Sequence, residues 1–306
     1  MKLSNQDNTM ESHNHNDRNL STSKFVAIVI ANSVITLSEV VGGIFSGSLA
    51  LFSDALHNLN DVTAVTLSFI AGKIAVRPQN PRKTYGYKRA EILAAFINSS
   101  ALVIFSVLLL FETIKRLFKP EIINADIMLI IGLIGLFANL FATMLLEKES
   151  HKSLNIKSSY LHLLSDTLSS LIVVTGAVAI KFLKFSWLDS IITIFICLFI
   201  IWESWKIIKK TIDILMQSAA NLDYSQMKQE IEAIPGVRNI HHVHTWLGDE
   251  NTIYLEAHIE MEDMLLSNTC VVAKRIEEIL HKNYDIDHIT LQFETDQCID
   301  KNFFYK

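Results

Sequence analysis

Two short stretches hold the residues best suited to chemistry. His57 and Asp61 lie four positions apart in one apolar segment, and His162 and Asp166 repeat that spacing in another. In a helix, residues i and i+4 share one face, one turn apart. Each helix would therefore present one imidazole and one carboxylate. Face to face, the two would offer two nitrogens and two oxygens, a tetrahedral set that suits zinc. A His–Asp pair can also simply fasten two helices together, and a proton relay can work without metal. The same pair at the same spacing in two separate segments favours the metal. Asp54, one turn before His57, reads as a hydrogen-bond partner or an entry residue.

The segments around these residues are membrane-like. Half of the 306 residues are apolar, 19% are charged, the mean hydropathy is +0.30 and the net charge is −5. A soluble chain of this size carries more charge, and a balance this mild, with no long basic run, gives no sign of a nucleic-acid partner. A helix needs about 20 apolar residues to cross the hydrocarbon core. Six stretches qualify, running approximately over 25–45, 49–76, 90–118, 122–146, 158–180 and 187–208. Only Ser46, Gly47 and Ser48 separate the first two, which predicts a tight hairpin. Ionisable groups at membrane depth cost at least ~2.5–3.5 kcal/mol each, so they persist only when paired, solvated or bound.

Loop charges predict the orientation. Arg77, Arg82, Lys83, Lys88 and Arg89 lie between the second and third spans. They fall on the same side as Lys148, Lys152 and Lys157, the basic residues of the N-terminal tail, and Lys206, Lys209 and Lys210. The opposite side has Lys115, Arg116, Lys119, Lys181 and Lys184. The richer side is expected to be cytoplasmic, with both termini inside a cell (inner or plasma) membrane. Residues 1–23 read as a disordered polar tail, not a secretory signal, and its His13 and His15 as part of that tail in preference to a loose metal site. Glu39 and Asn139 read as helix–helix contacts in preference to support for the site, and Glu112 and Asp189 as groups reaching the membrane interface.

After residue 213 the pattern changes. Residues 224–234 are helical in period, 237–246 and 252–261 alternate as strands do, 268–282 are helical and 287–294 form a third strand. The expected fold is a membrane all-α six-helix bundle (24–212) followed by a small α+β domain of order αββαβ (213–306). Six of the eleven histidines lie in this last part. The three cysteines, Cys197, Cys270 and Cys298, form no disulfide framework.

The chain resembles the cation diffusion facilitator family, in particular its bacterial zinc, cadmium and cobalt resistance branch. The stretches that carry the resemblance are SGSLALFSDALHNLNDV (46–62), TYGYKRAEILAAFIN (84–98), SSYLHLLSDTLSS (158–170), HHVHTW (241–246) and HITLQFE (288–294). The resemblance implies a homodimer, six spans per subunit and a ferredoxin-like cytoplasmic domain. It places the transport ligands on His57, Asp61, His162 and Asp166, and His57 at its position favours zinc. It implies a regulatory metal site at His241, His258 and Glu294, with Cys270 and Cys298 nearby as further candidates. The loop PQNPRKTYGYKR departs from members that hold an accessory metal there, because Lys83 and Tyr87 stand at the aligned positions. Gln217 stands where members carry an acid opposite a basic residue such as Arg89.

The function expected is export of divalent transition-metal ions from the cytoplasm by alternating access, in exchange for protons. Free imidazole titrates near pH ~6.5, and metal binding needs its neutral form, so protons from an acidic exterior compete with metal at His57 and His162. Zinc is then both substrate and regulatory ligand, and protons and membrane lipid are the other partners. The competing readings are a membrane-bound sensor that binds without transport and an integral-membrane metalloenzyme. A catalytic metal needs an open coordination position, which a closed four-ligand set does not leave. No GxxxxGK[ST] loop occurs, which argues against ATP-driven pumping and, with the closed site, against an enzyme.

Overall fold

The computed structural model describes residues 22–147, 154–298 and 300–304. His13 and His15, the tail up to Ser21, and Lys148 and Lys152 lie outside the described residues. Six long helices come first: α1 (Thr22–Ser46), α2 (Leu49–Ala75), α3 (Arg89–Phe118), α4 (Ala125–Glu147), α5 (Leu154–Leu183) and α6 (Trp187–Leu215). Within α3 to α6, the segments Arg89–Phe118, Ala125–Met144, Tyr160–Leu183 and Trp187–Leu215 are long and apolar enough to cross a membrane. The polar residues Asp54, His57, Asn58, Asn60 and Asp61 all fall inside the single helix α2. The last helix runs past the expected end at 208 because neither Gly nor Pro interrupts 187–215, and it closes just before Gln217, whose φ is +57°.

The hairpin between α1 and α2 depends on Gly47, which sits at φ +74°, where a side chain is strained. Its carbonyl accepts a hydrogen bond from Arg116 Nη1 at 2.6 Å. Ser48 caps α2, its hydroxyl accepting from Leu51 N at 3.1 Å. A helix start leaves backbone N–H groups without partners, and here a second helix satisfies them. The Asp189 carboxylate, in the first turn of α6, accepts from Ser48 Oγ, from Leu49 N at 2.9 Å and from Ala50 N at 3.3 Å. The expectation that Asp189 reaches the membrane interface is therefore corrected: it is 1% exposed, and its charge faces the positive end of α2. Glu112 instead pairs with Lys115 and Arg116. Leu51, Leu102, Met128, Val173 and Ile196 form the apolar interior beside this cap.

The second part contains α7 (Tyr224–Glu232), β1 (Val237–Leu247), β2 (Ile253–Met261), α8 (Leu266–Tyr284) and β3 (Ile286–Glu294). The sheet order is β1-β2-β3, with β1 and β2 antiparallel and β2 and β3 parallel. A parallel pair needs a crossover, and α8 supplies it. Met227, Ile231, Ile240, Leu255, Ile259, Ile276, Leu280 and Ile286 close the core between helices and sheet.

The two parts touch where the α2–α3 loop meets the β1–β2 turn. Lys88 Nζ donates to Thr252 Oγ1 at 2.9 Å and lies 3.8 Å from Asp249 Oδ2. Lys210 Nζ, near the end of α6, pairs with Glu250 at 3.0 Å. Tyr85 meets Tyr254 edge to face, with ring centroids 5.4 Å apart. Gln217 and Arg89 line the same cleft, so the contact there is made by Lys88 and the aromatic pair, with no acid at 217.

Replacing Asp189 by Ala leaves the first N–H groups of α2 buried without an acceptor, at a cost of about 2 kcal/mol. Thermal unfolding of the detergent-solubilised protein should show a lowered midpoint for Asp189→Ala. An unchanged midpoint would mean that the cap contributes nothing.

Candidate metal centres

In α2, residues 54, 57, 58 and 61 fall on one side of the helix, and the 162–166 pair of α5 faces it. His57 Nε2 lies 3.3 Å from Asp166 Oδ1 and 3.8 Å from Asp61 Oδ2. His162 Nε2 lies 3.3 Å from Asp61 Oδ2 and 3.8 Å from Asp166 Oδ2. The four side chains thus alternate His–Asp–His–Asp around a ring, each imidazole beside both carboxylates. The two imidazole centroids are 6.1 Å apart. Ligand atoms of His57, Asp61 and Asp166 lie within 4.8 Å of one another. His162 completes the ring from its open side, where its side chain is 50% exposed.

That open side faces a cavity of about 470 Å³. Its walls are the second half of α2, the first half of α3, the fifth helix and the second half of α6, including Asn98, Glu203 and Ser204. The named halves of α2, α3 and α6 belong to the end of the bundle that bears the β-sheet domain. The cavity therefore leads from the ring towards that end. Glu203 and Asn98 were not legible as site residues, because each stands alone in an apolar helix with no spacing partner.

Other polar groups lie beside the ring and not in it. Asp54 accepts from Ser169 Oγ at 2.6 Å and from Ser170 Oγ at 3.1 Å, which makes it a link between α2 and α5. Glu39 Oε2 accepts from Asn58 Nδ2 at 2.7 Å, and Asn139 Nδ2 donates to Ser170 Oγ at 3.1 Å.

A second cluster lies on the sheet. His241 and His258 are directly opposite each other on β1 and β2, and Glu294 ends β3. His241 Nε2 is 2.9 Å from Glu294 Oε1, and His258 Nδ1 is 3.4 Å from Glu294 Oε2. Cys298 Sγ lies 3.6 Å from His258 Nδ1 and 3.4 Å from Glu294 Oε2. All four offer ligand atoms within 4.8 Å of one another. His241 is fully buried and Glu294 is 5% exposed, yet His241 Nε2 and Glu294 Oε1 form no hydrogen bond of acceptable angle despite their closeness. Two buried polar atoms that converge on one point without satisfying each other fit a shared cation. Partial burial and the adjacent Glu294 carboxylate push the Cys298 thiol above its ordinary range. A bound cation reverses that logic by holding the thiolate.

Cys270 does not join this cluster. It sits on an exposed face of α8, among Val271, Lys274, Arg275 and Glu278. Among the described residues it belongs to no group of candidate ligands. The strict alternation expected of β1 also fails locally. A register shift falls between His241 and His244, with His242 at φ +50°. This bulge sets the His242 ring 4.8 Å from that of His258, so neighbouring histidines crowd one edge of the site. Nothing in the run HHVHTW announces the bulge.

Comparison with known proteins adds an independent line. The sequence model of the cation efflux transmembrane domain matches residues 25–216. That of the cation efflux protein cytoplasmic domain matches residues 219–296. The chain is 33% identical over 291 residues to the metal cation efflux system protein CzcD of Cupriavidus metallidurans, covering 94% of this chain and 90% of that protein. It is 34% identical over 289 residues to the cadmium, cobalt and zinc/H(+)-K(+) antiporter of Bacillus subtilis, covering 93% and 92%. It is also 34% identical over 270 residues to the zinc transporter ZitB of Escherichia coli, covering 86% and 84%.

Cadmium bound to a thiolate absorbs in the near ultraviolet. Cadmium added to the full-length protein should give this absorption, Cys298→Ser should abolish it, and Cys270→Ser should leave it intact. Loss of the band in Cys270→Ser alone would misplace the cluster.

Proposed function

This chain belongs to the cation efflux, or cation diffusion facilitator, family, a family of transporters, and on that premise we propose that it exports divalent transition-metal ions, zinc foremost, in exchange for protons. The observation that carries this reading is the closed ring of His57, Asp166, His162 and Asp61, contributed equally by α2 and α5. Two imidazole nitrogens and two carboxylate oxygens match the donor set that zinc prefers in tetrahedral sites. The names of the relatives, a zinc transporter and a cadmium, cobalt and zinc/H(+)-K(+) antiporter, support both the cargo and the exchange.

The proposed membrane arrangement has six spans, α1 to α6, with both termini cytoplasmic in the cell membrane. The cavity beside His162 is then the entry path from the cytoplasm, and this conformation is the inward-facing one. Zinc enters, gives up its water and is held by the four side chains. A rearrangement of the helices closes the cavity and opens the opposite side. There, protons compete for the imidazoles and the metal leaves.

The small domain is proposed to be ferredoxin-like and to mediate a homodimer, in keeping with its match to the family's cytoplasmic domain. His241, His258, Glu294 and Cys298 would hold a regulatory zinc there. The contact of Lys88 with Asp249 and Thr252 gives metal binding in that domain a direct mechanical path to α3.

Zinc uptake into inverted vesicles under an imposed pH gradient tests the reading. His57→Ala and Asp61→Ala should each reduce uptake to the background of empty vesicles, since losing even an outer-shell partner of a metal ligand costs about 10–100-fold in affinity and losing one of four ligands costs more. Normal uptake by both variants would refute the site, and binding without uptake by the unaltered protein would favour a sensor.

A further inference from the structure

One turn beyond the ring, on the side away from the small domain, lies a pair of acids that the proposed metal exchange does not use. Glu39 of α1 is 1% exposed and Asp54 of α2 is 2% exposed. Their hydrogen-bond partners are all neutral: Asn58 for Glu39, and Ser169 and Ser170 for Asp54. Ser170 is held in turn by Asn139 of α4. Asp54 and Asn58 are i and i+4 on α2, so the two acids are attached to the same face of the same helix.

Glu39 is the less satisfied of the two. Its Oε2 accepts from Asn58 Nδ2 at 2.7 Å. Its Oε1 is buried and, among the described residues, has no hydrogen-bond partner. That oxygen lies against Gly135 of α4, where a Cβ would stand only 2.1 Å away. The glycine makes room for the carboxyl group and offers it no donor. No Lys or Arg among the described residues pairs with Glu39 or Asp54. Among the titratable groups on the neighbouring helices, Lys73 of α2, Asp126 and Glu147 of α4 and Lys181 of α5 stand at helix ends, and His57 and Asp61 of α2 and His162 and Asp166 of α5 are engaged with one another in the ring. An ionised carboxylate in so dry and uncompensated a position is costly, and the neutral acid is far less so.

We propose that Glu39 is a proton-binding site of the transporter, holding a proton on its unpartnered oxygen in this conformation. The ligand is the proton itself. During the cycle the O–H bond of Glu39 breaks and the proton passes to water, leaving the carboxylate. The bond re-forms from water on the opposite side of the membrane. Asn58 directly follows His57 in sequence, so a shift of α2 that rearranges the ring also moves the one side chain that holds Glu39. Metal loading and proton release are thereby linked through a single helix, and Glu39 adds a proton to the count that the ring alone supplies. The inference rests on the exchange reading above, but the state of the Glu39 carboxyl can be measured without transport.

Infrared spectroscopy of the purified full-length protein at neutral pH reads it directly. The unaltered protein should show the carbonyl band of a protonated carboxyl group, and Glu39→Gln should lose a component of it. Glu39→Asp should shift that component. No protonated-carboxyl band in the unaltered protein, or an undiminished and unshifted band in both variants, would overturn the proposal. Glutamine can still accept from Asn58, so a purely structural role would survive Glu39→Gln. A second measurement counts protons released into weak buffer on zinc binding. Glu39→Gln should release about one proton fewer per metal ion, and its zinc affinity should depend less steeply on pH. An unchanged proton count would overturn the proposal. Failure of the unaltered protein to transport zinc would instead defeat the exchange reading and leave the infrared result standing by itself.

Discussion

The organisation of this molecule depends on the cost of placing imidazole and carboxylate groups inside an apolar bundle. One such pair on one helix is an expensive defect. Two pairs facing each other form a ring in which every acid lies near two imidazoles and every imidazole near two acids. The surrounding features set its position: the cap of Asp189 on the start of α2, the Asp54 link to Ser169 and Ser170 of α5, and the Glu39–Asn58 bond to α1. Each ties α2 to a different neighbour, so that α2 is the element whose movement reaches all of them.

The second cluster is built on different physics. In the bundle, helical periodicity brings ligands together from residues four apart. On the sheet, three strands each give one candidate ligand, His241 directly opposite His258 and Glu294 two positions beyond the partner of His258 on β3, and the fourth, Cys298, comes from the segment just beyond β3. The bulge at His242 and the backbone bonds from His242 and Val243 to Asn302 and Phe303 fold the chain end over this site. The geometry of this cluster depends on how its strands and the segment after β3 are arranged, and Lys88 and Tyr85 of the α2–α3 loop touch the β1–β2 region of the same sheet.

Much of this was legible in the sequence, for identifiable reasons. Helical period and length located the long helices to within a few residues except at the end of α6, and the HxxxD spacing, repeated, marked the four ring residues. The αββαβ order followed from helical period and from strand alternation. What escaped were features set by tertiary contact. Asp189 looks like an interfacial acid because its partners are backbone N–H groups of a helix 140 residues away. Glu39 looks like a generic helix contact, since the lack of a partner for one of its oxygens is visible only in three dimensions. Cys270 and Cys298 look alike in sequence, but one points out from α8 and the other reaches the cluster. The bulge at His242 replaces an alternation that the residue types alone would have kept.

The central claim is that one metal ion is held jointly by α2 and α5. X-ray absorption at the zinc edge tests it most directly, on protein carrying His241→Ala and Cys298→Ser so that the ring is the remaining site. The account predicts a first shell of nitrogen and oxygen at about 2.0–2.2 Å, with the outer-shell signature of two imidazoles and no sulfur. A shell of oxygen alone, with no imidazole scattering, would contradict it.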